Sequence, residues 1–125
     1  MRYSHQRELI LKEVKKRKDY PTAELICATL RAECPRLSLG TVYRDLNTLV
    51  EVGKIRRVSI PGKADRFDGQ TNVHEHFYCR TCGQVTDLPI STEYLEELHK
   101  QRPDIQIEDY LVTVIGECEE CAQKH

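Results

Sequence analysis

The sequence predicts an α+β protein with two parts. Residues 1–68 show three amphipathic helical patterns in succession, followed by a short β-hairpin pattern. Residues 69–125 contain two Cys-x-x-Cys pairs among strand-like segments. The charge also changes sign: 15 Lys and Arg stand against 9 Asp and Glu in the first part, and 4 against 11 in the second. A basic part suits a polyanion such as nucleic acid, and an acidic part suits a cation.

The first two helices are defined by their caps and apolar spacing. Ser4 is predicted to cap the first helix, which ends in the basic run 15–18. Thr22 is predicted to cap the second helix, which ends near Ala32. Both carry apolar side chains at helical spacing: Leu9, Ile10 and Val14 in the first helix, and Leu25, Ile26 and Leu30 in the second.

The third helix is predicted from Leu39 to Val52, with Ser38 as its cap and Gly53 as its stop. One stripe of this helix is apolar and its other faces are polar. Two helices followed by a third with a polar face is the organisation of a helix-turn-helix, whose last helix enters the DNA major groove.

A β-wing is predicted after the third helix. Residues 54–60 show a strand-like alternation with basic side chains, residues 61–63 form a turn, and residues 66–68 form the return strand. The first part is therefore predicted to be a winged helix-turn-helix domain that binds double-stranded DNA. The candidate DNA contacts are Thr41, Tyr43, Arg44, Lys54, Arg56, Arg57 and Lys63, with Tyr43 and Arg44 also reading base edges. The alternative is a three-helix packing module with an unrelated hairpin.

The cysteine pairs predict a structural zinc site. Two such pairs supply four thiolates at about 2.3 Å from the metal in a closed tetrahedron. The predicted ligands are Cys79, Cys82, Cys118 and Cys121. Because this set is complete, His74 and His76 need another role, and on a strand their imidazoles share one face. They are either ligands of a second metal or exposed histidines without a ligand.

The second part is predicted to be an α/β dimerisation domain. Two short strands flank the knuckle 79–83, and Ser91 caps an amphipathic helix that carries Tyr94, Leu95 and Leu98. Residues 105–115 read as the longest strand, buried on both faces. Because so apolar a strand is hard to cover within 57 residues, a homodimer is predicted.

Composition restricts the class of protein further. No apolar run approaches the roughly 20 residues of a membrane span, and the N-terminus has no secretory signal, so a cytoplasmic protein is expected. Thiols stay reduced there, which favours metal binding over disulfides. A zinc hydrolase using His74 and His76 is the rival class, but no His-Glu-x-x-His motif or Gly-rich phosphate loop is present, and neither an enzyme nor a small-molecule substrate is predicted.

Several segments together resemble the Fur (ferric uptake regulator) family of metal-dependent transcriptional regulators. The resemblance is carried by residues 21–24, 40–44, 66–68, 74–83 and 116–121. It implies a homodimer with an N-terminal winged helix and a C-terminal dimerisation domain, which represses when a regulatory divalent metal is bound. It also implies structural Zn(II) at the four paired cysteines.

The resemblance places the regulatory ligands on Asp68, His74, His76 and Asp87. Two imidazoles and two carboxylates suit Fe(II), Mn(II) or Zn(II). Metal occupancy would then set the angle between the two domains. Asp87 stands where iron-responsive members usually carry glutamate, which resembles the peroxide-sensing branch of the family. Iron or peroxide sensing is therefore predicted, with a zinc- or manganese-responsive regulator, or a DNA binder with structural zinc only, as alternatives.

Two departures from the family pattern affect the ligand sets. Many members carry a histidine ligand where this chain has Tyr20, so Tyr20, His5 or water would complete the regulatory site. A third family site would need ligands near Glu75, Glu93 and Tyr110, and the tyrosine does not fit it.

Overall fold

The computed structural model describes residues 2–71, 75–88, 93–108, 110 and 112–124. The chain divides into two compact units, Met1–Asn72 and Val73–His125. The first unit contains three helices and a two-stranded sheet, and the second contains a three-stranded sheet and two helices. The predicted α+β class is confirmed.

The helices of the first unit are α1 (Arg2–Lys16), α2 (Ala23–Leu30) and α3 (Leu39–Glu51). Thr22 and Ser38 cap α2 and α3 as predicted, because their hydroxyls accept from the Leu25 and Thr41 backbone N–H groups at 3.2 and 3.1 Å. The predicted cap Ser4 is wrong, since α1 already begins at Arg2. Helix α2 ends two residues before the predicted Ala32.

The three helices enclose one apolar core, and the hairpin closes it. Ile10 and Val14 of α1, Ile26 of α2 and Leu46 of α3 are all buried, as is Phe67 of the hairpin. Each such side chain stabilises the fold by about 1.5–3 kcal/mol through its removal from water. This core fixes the position of α3 and of the hairpin relative to each other.

The hairpin consists of β1 (Arg56–Val58) and β2 (Arg66–Asp68), paired antiparallel with Arg57 opposite Phe67. It is shorter than the predicted run 54–60. Gly62 in its loop has φ 74°, a left-handed conformation that favours glycine. The other edge of β2 is bonded to the segment before α2, where the Phe67 N–H donates to the Pro21 carbonyl at 3.0 Å.

The second unit comprises β3 (Glu75–Cys79), β4 (Val85–Leu88), α4 (Glu93–Gln101), β5 (Thr113–Gly116) and α5 (Glu119–Gln123). The sheet order is β4-β3-β5, with β3 antiparallel to β4 and parallel to β5. The two strands predicted around the knuckle are confirmed. The predicted cap Ser91 lies outside the described residues, and α5 was not predicted.

The predicted long strand 105–115, buried on both faces, is wrong. Of residues 105–108, 110 and 112–116, which the structure describes here, Thr113–Gly116 forms a strand and 105–108 are irregular. Val114 and Ile115 are 39% and 48% exposed, because β5 lies at the edge of the sheet and α4 buries none of its residues. β-branched residues indicate a pleated strand, but they do not reveal what covers it. Among the described residues, no helix is long and apolar enough to cross a membrane.

Candidate metal centres and nucleic-acid interface

The four paired cysteines come together at the ends of two parallel strands. Because β3 and β5 pair in parallel, with Cys79 opposite Gly116, the two Cys-x-x-Cys turns emerge at the same edge of the sheet. The four Sγ atoms lie within 4.8 Å of one another: those of Cys79, Cys82, Cys118 and Cys121. Tetrahedral sulfur ligands at about 2.3 Å from zinc stand about 3.8 Å apart. The cluster therefore fits a structural zinc ion.

Local backbone geometry holds the two cysteine turns in place. Gly83, with φ 77°, donates from its N–H to the Cys79 carbonyl at 2.8 Å and closes the first turn. The Arg80 N–H donates to the Gly116 carbonyl at 2.9 Å, and the Thr81 hydroxyl to the Glu117 carboxylate at 2.7 Å. These two bonds join the first turn to the second and hold the four thiols near one another.

The thiols differ in acidity in a way that suits a cation. Backbone N–H groups of Cys82 and Cys118 point at the Cys79 sulfur, at 3.5 and 3.4 Å. They lower the pKa of Cys79 to about 6, whereas hydrogen bonding to Cys118 and burial raise the pKa of Cys121 to about 12. Four neighbouring thiols cannot all ionise at neutral pH without a positive charge among them, and a divalent metal supplies that charge.

His76 and Asp87 form a second candidate set of donors within the second unit. They are direct register partners on the antiparallel strands β3 and β4. Side chains in such a pair share a face with Cβ atoms about 4.5–5.5 Å apart. His76 is buried and Asp87 is exposed, so the pair joins a fixed imidazole to an accessible carboxylate. The third predicted ligand of this unit, His74, lies outside the described residues.

Asp68, the predicted ligand from the first unit, is a buried carboxylate at the end of β2. Its Oδ1 accepts from the Gln70 N–H at 2.9 Å. Tyr20 is also buried and has φ 54°, a strained value for a tyrosine. Thr22 pairs with Arg66 in an isolated antiparallel bridge, which joins the segment after Tyr20 to the strand that carries Asp68. His5 is exposed on α1.

The residues named for the third family site lie in three different segments of the second unit. Glu75 is buried next to His76 on the opposite face of β3, and its Oε1 has no hydrogen-bond partner in the described part of the chain. Glu93 is exposed at the start of α4, and Tyr110 is half-buried.

The polar face of α3 carries the predicted base-reading residues. Arg44 and Asn47 are exposed, and Tyr43 is half-buried. The Tyr43 hydroxyl donates to the Glu24 carboxylate of α2 at 3.4 Å. Burial and the negative charges of Glu24 and Asp65 raise the pKa of Tyr43, so its hydroxyl stays protonated at neutral pH. Thr41 is tied to the cap, because the Ser38 hydroxyl donates to its Oγ1 at 2.9 Å.

The basic residues of the hairpin differ in their surroundings. Lys54 and Lys63 are exposed, Lys63 next to the turn glycine Gly62, and Arg56 is half-buried. Arg57 is half-buried among three partners: the Asn47 side-chain oxygen, the Asp65 carboxylate at 3.3 Å and the Phe67 ring at 5.8 Å. Glu24, Asn47 and Asp65 were not among the predicted site residues. Strand alternation places Arg56 and Arg57 on opposite faces, which is the one sequence signal of their difference.

Comparisons with known proteins agree with this architecture. The peroxide-responsive repressor PerR of Staphylococcus aureus is 27% identical over 125 residues, covering 99% of this chain and 84% of that protein. The crystal structure of the Campylobacter jejuni peroxide stress regulator has a TM-score of 0.80 and 29% identity, covering 96% of this chain and 91% of that one. The Helicobacter pylori ferric uptake regulator Fur, with three functional metal-binding sites, has a TM-score of 0.82 at 20% identity. The match covers 94% of this chain and 80% of that one. This last likeness concerns the fold alone.

Three helices with a hairpin, followed by a small sheet with a four-thiol cluster, define the architecture of a winged-helix regulator with a metal-binding domain. The sequence model of the ferric uptake regulator family matches residues 1–114. This protein belongs to the ferric uptake regulator family, as its sequence predicted. Members of the family are regulators.

Proposed function

We propose that this protein is a metal-responsive, DNA-binding repressor. Residues 1–68 bind a double-stranded operator, and residues 69–125 bind metal and form a homodimer. The observation that carries the proposal is that β3 holds donors of two kinds: Cys79 of the thiol cluster and His76 opposite Asp87. A closed thiolate site is structural, whereas imidazole and carboxylate suit Fe(II), Mn(II) or Zn(II). One metal fixes the fold and the other is sensed. We propose no catalytic reaction.

The proposed regulatory ligands are Asp68, His74, His76 and Asp87. The register pairing of His76 with Asp87 and the burial of Asp68 support this set, and the i, i+2 spacing supports His74. Tyr20, His5 or water completes the coordination. Ligands drawn from both ends of the segment 69–75 would make metal binding sensitive to the relative position of the two units.

Metal titration against DNA binding tests the proposal. The probe is a duplex selected from a randomised pool by the Mn(II)-loaded protein. We expect DNA binding to need Fe(II), Mn(II) or Zn(II) in addition to the resident zinc. His76→Ala should keep the zinc and the fold but no longer bind DNA tightly at any concentration of these metals. His99→Ala, at an exposed position of α4, is the matched control. DNA binding that persists after a chelator too weak to remove the thiolate zinc would leave a DNA binder with structural zinc only.

Iron and peroxide are the proposed signals, supported by Asp87 and by the peroxide regulators among the relatives. His74 and His76 would be among the ligands of Fe(II), an ion that supplies one-electron reduction of peroxide, and their imidazoles would then be the nearest groups for the resulting oxidant to attack. Mass spectrometry after a low peroxide dose tests this. We expect one added oxygen on the peptide that carries both histidines, with Fe(II) but not with Mn(II), together with loss of DNA binding. Unmodified histidines in the iron form would reject peroxide sensing, and the protein would then be a regulator that responds to metal alone.

The homodimer is supported by the apolar residues that the single chain exposes. Val114 and Ile115 lie on the edge strand β5, and Tyr94 and Ile105 of the same unit are also exposed. An exposed apolar edge strand invites pairing with a second chain. Ile115→Glu should give a monomer in analytical ultracentrifugation, whereas Thr86→Glu on β4, also exposed, should stay dimeric.

The proposed DNA contacts divide by position. Thr41, Tyr43 and Arg44 present the N-terminal half of α3 to the major groove, and Lys54, Arg56 and Lys63 contact phosphates. Lys63→Ala should lower the slope of log affinity against log salt by about one unit and weaken all sequences alike. Tyr43→Ala should instead reduce discrimination between selected and scrambled DNA.

A further inference from the structure

Arg57 is a predicted phosphate contact whose side chain is engaged by residues of its own unit. Its guanidinium donates to the Asn47 side-chain oxygen on α3. Its Nε, which is buried, forms an ion pair with Asp65 at 3.3 Å without hydrogen-bond geometry. The same guanidinium stands over the Phe67 ring, 5.8 Å from the centroid. Arg57 therefore joins the hairpin to the exposed face of α3.

These contacts determine which way the Asn47 amide points. A guanidinium has only donors, so the amide oxygen must face Arg57 and the Nδ2 hydrogens must face away from it. Without this partner, the two ends of the amide are nearly interchangeable by a half-turn. Asn47 is exposed and lies one helical turn after Tyr43 and three residues after Arg44, on the proposed DNA-reading face. The exposed end of the amide is thus a hydrogen-bond donor.

We propose that Arg57 is a positioning residue for DNA specificity: it locks the Asn47 amide so that Nδ2 donates to an acceptor on a base edge. The acceptors in the major groove are the purine N7, the guanine O6 and the thymine O4. At the position read by Asn47, the operator carries a keto base, guanine or thymine. Adenine offers N7 alone, because its bidentate pairing with asparagine needs the amide oxygen that faces Arg57, and cytosine presents only an amino group, so both are less favourable than a keto base. This inference rests on the proposed DNA-binding function.

Substitution of Arg57 by lysine distinguishes a phosphate contact from a positioning role. A phosphate contact needs a positive charge, which Arg57→Lys keeps, so a phosphate role predicts little change. A positioning role needs the planar fork that reaches Asn47, Asp65 and the Phe67 ring together, and lysine cannot supply it. Arg57→Lys should then lower affinity for the selected duplex by about three- to tenfold, the value of one hydrogen bond. Affinity for a scrambled duplex of equal composition should stay within about twofold.

The experiment uses the full-length, Mn(II)-loaded protein with selected and scrambled duplexes. Wild type, Arg57→Lys, Asn47→Ala and the double variant are compared, and selection from the randomised pool is repeated with each. We expect the same single position to lose its keto preference in all three variants, and the double variant to lose no more discrimination than Asn47→Ala. The salt slope should be unchanged for Arg57→Lys. Arg56→Met is the control, and it should lower the slope by about one unit on both duplexes.

A folding defect is separated from the proposed role by Asn47→Asp. This variant keeps an acceptor for Arg57, so its melting temperature should match or exceed that of wild type, yet it has no donor. The ratio of affinities for the two duplexes should fall as in Asn47→Ala. An unchanged ratio, additive losses in the double variant, or relaxation at different positions for Arg57→Lys and Asn47→Ala would overturn the inference. A pool that yields no enriched sequence with wild type would overturn the proposed function itself, and this inference with it.

Discussion

Gly69 follows the buried carboxylate Asp68 and lies directly against α1. A Cβ built on Gly69 would stand 2.7 Å from the Lys15 Cα and 3.2 Å from the Lys15 nitrogen. Both are backbone atoms of a helix and cannot turn aside as a flexible side chain does. The Lys15 ammonium also donates to the Gly69 carbonyl at 3.2 Å, which ties the two segments together. We therefore expect Gly69→Ala to destabilise the first unit.

The size of the effect follows from the overlap. The 2.7 Å approach is 0.7 Å short of the 3.4 Å at which ordinary contact begins, so α1 or the end of β2 must shift. Overpacking of this kind costs about 1–3 kcal/mol. In a domain of this size each kcal/mol lowers the melting temperature by about 4–8 °C. Gly69→Ala should lower it by roughly 4–24 °C.

Gly40 provides the matched control. It lies in the first turn of α3, and a Cβ built there would meet nothing within 4 Å. Gly40→Ala should leave stability unchanged or raise it by up to about 1 kcal/mol through helix propensity. Urea denaturation followed by circular dichroism measures both variants. Equal stability of the two variants would refute the steric reasoning.

Two further predictions concern the first unit. The Arg17 guanidinium donates to the Asp19 carboxylate at 2.7 Å and lowers the pKa of Asp19. The pair therefore stabilises the fold at pH values above the usual carboxyl pKa, and this stabilisation is lost as the pH falls through the lowered pKa. Because Asp19 is 55% exposed, Asp19→Asn should cost under about 1 kcal/mol at neutral pH and nothing at strongly acidic pH in urea titrations. Ser38→Ala should cost about 1 kcal/mol by loss of the α3 cap, whereas Ser38→Asp should retain most of the stability in the same assay. A Ser38→Ala protein as stable as Ser38→Asp would contradict the capping role.

The sequence predicts those features that depend on residues close together in the chain. The caps Thr22 and Ser38, the turn at Gly62 and the two cysteine turns each follow from local chemistry, because a hydroxyl, a missing Cβ or a paired thiol acts within a few residues. Ser4 fails for a related reason: a good cap residue does not act as one where the helix has already begun upstream.

Features that depend on tertiary packing could not be predicted in the same way. The exposure of Val114 and Ile115 depends on sheet order, which places β5 at the edge. The partners of Arg57 come from α3 and from across the hairpin. A pattern of basic residues on a strand does not distinguish an arginine bound to its own domain from one that contacts phosphate. The parallel pairing of β3 with β5, which aligns the cysteine turns, likewise involves residues far apart in sequence.

The position of His76 makes the two proposed metal sites unequal. His76 is three residues before Cys79 on β3, and its N–H donates to the Val112 carbonyl at 3.3 Å, beside the strand that leads to Cys118. The two strands beside β3 both connect to the thiol cluster. Strand β4 follows the first cysteine turn, and β5 leads into the second. Zinc at the cluster would therefore stabilise the backbone that carries His76. The coupling is reciprocal, but the thiolate zinc contributes roughly 10–16 kcal/mol of its own, so we expect the cluster to keep its zinc without a metal at His76.

Loss of the two metals should accordingly be asymmetric. Cys118→Ser should release zinc and also abolish Mn(II) binding at the regulatory site, since structural zinc contributes roughly 10–16 kcal/mol of binding free energy to folding. His76→Ala should abolish Mn(II) binding and leave one zinc per chain. Cys34→Ser, outside the cluster, is the control for loss of a thiol. Metal analysis together with isothermal titration measures both losses. Full Mn(II) affinity in zinc-free Cys118→Ser would show that the regulatory site does not depend on the structural zinc. Loss of zinc from His76→Ala would show that the thiol cluster depends on the regulatory site.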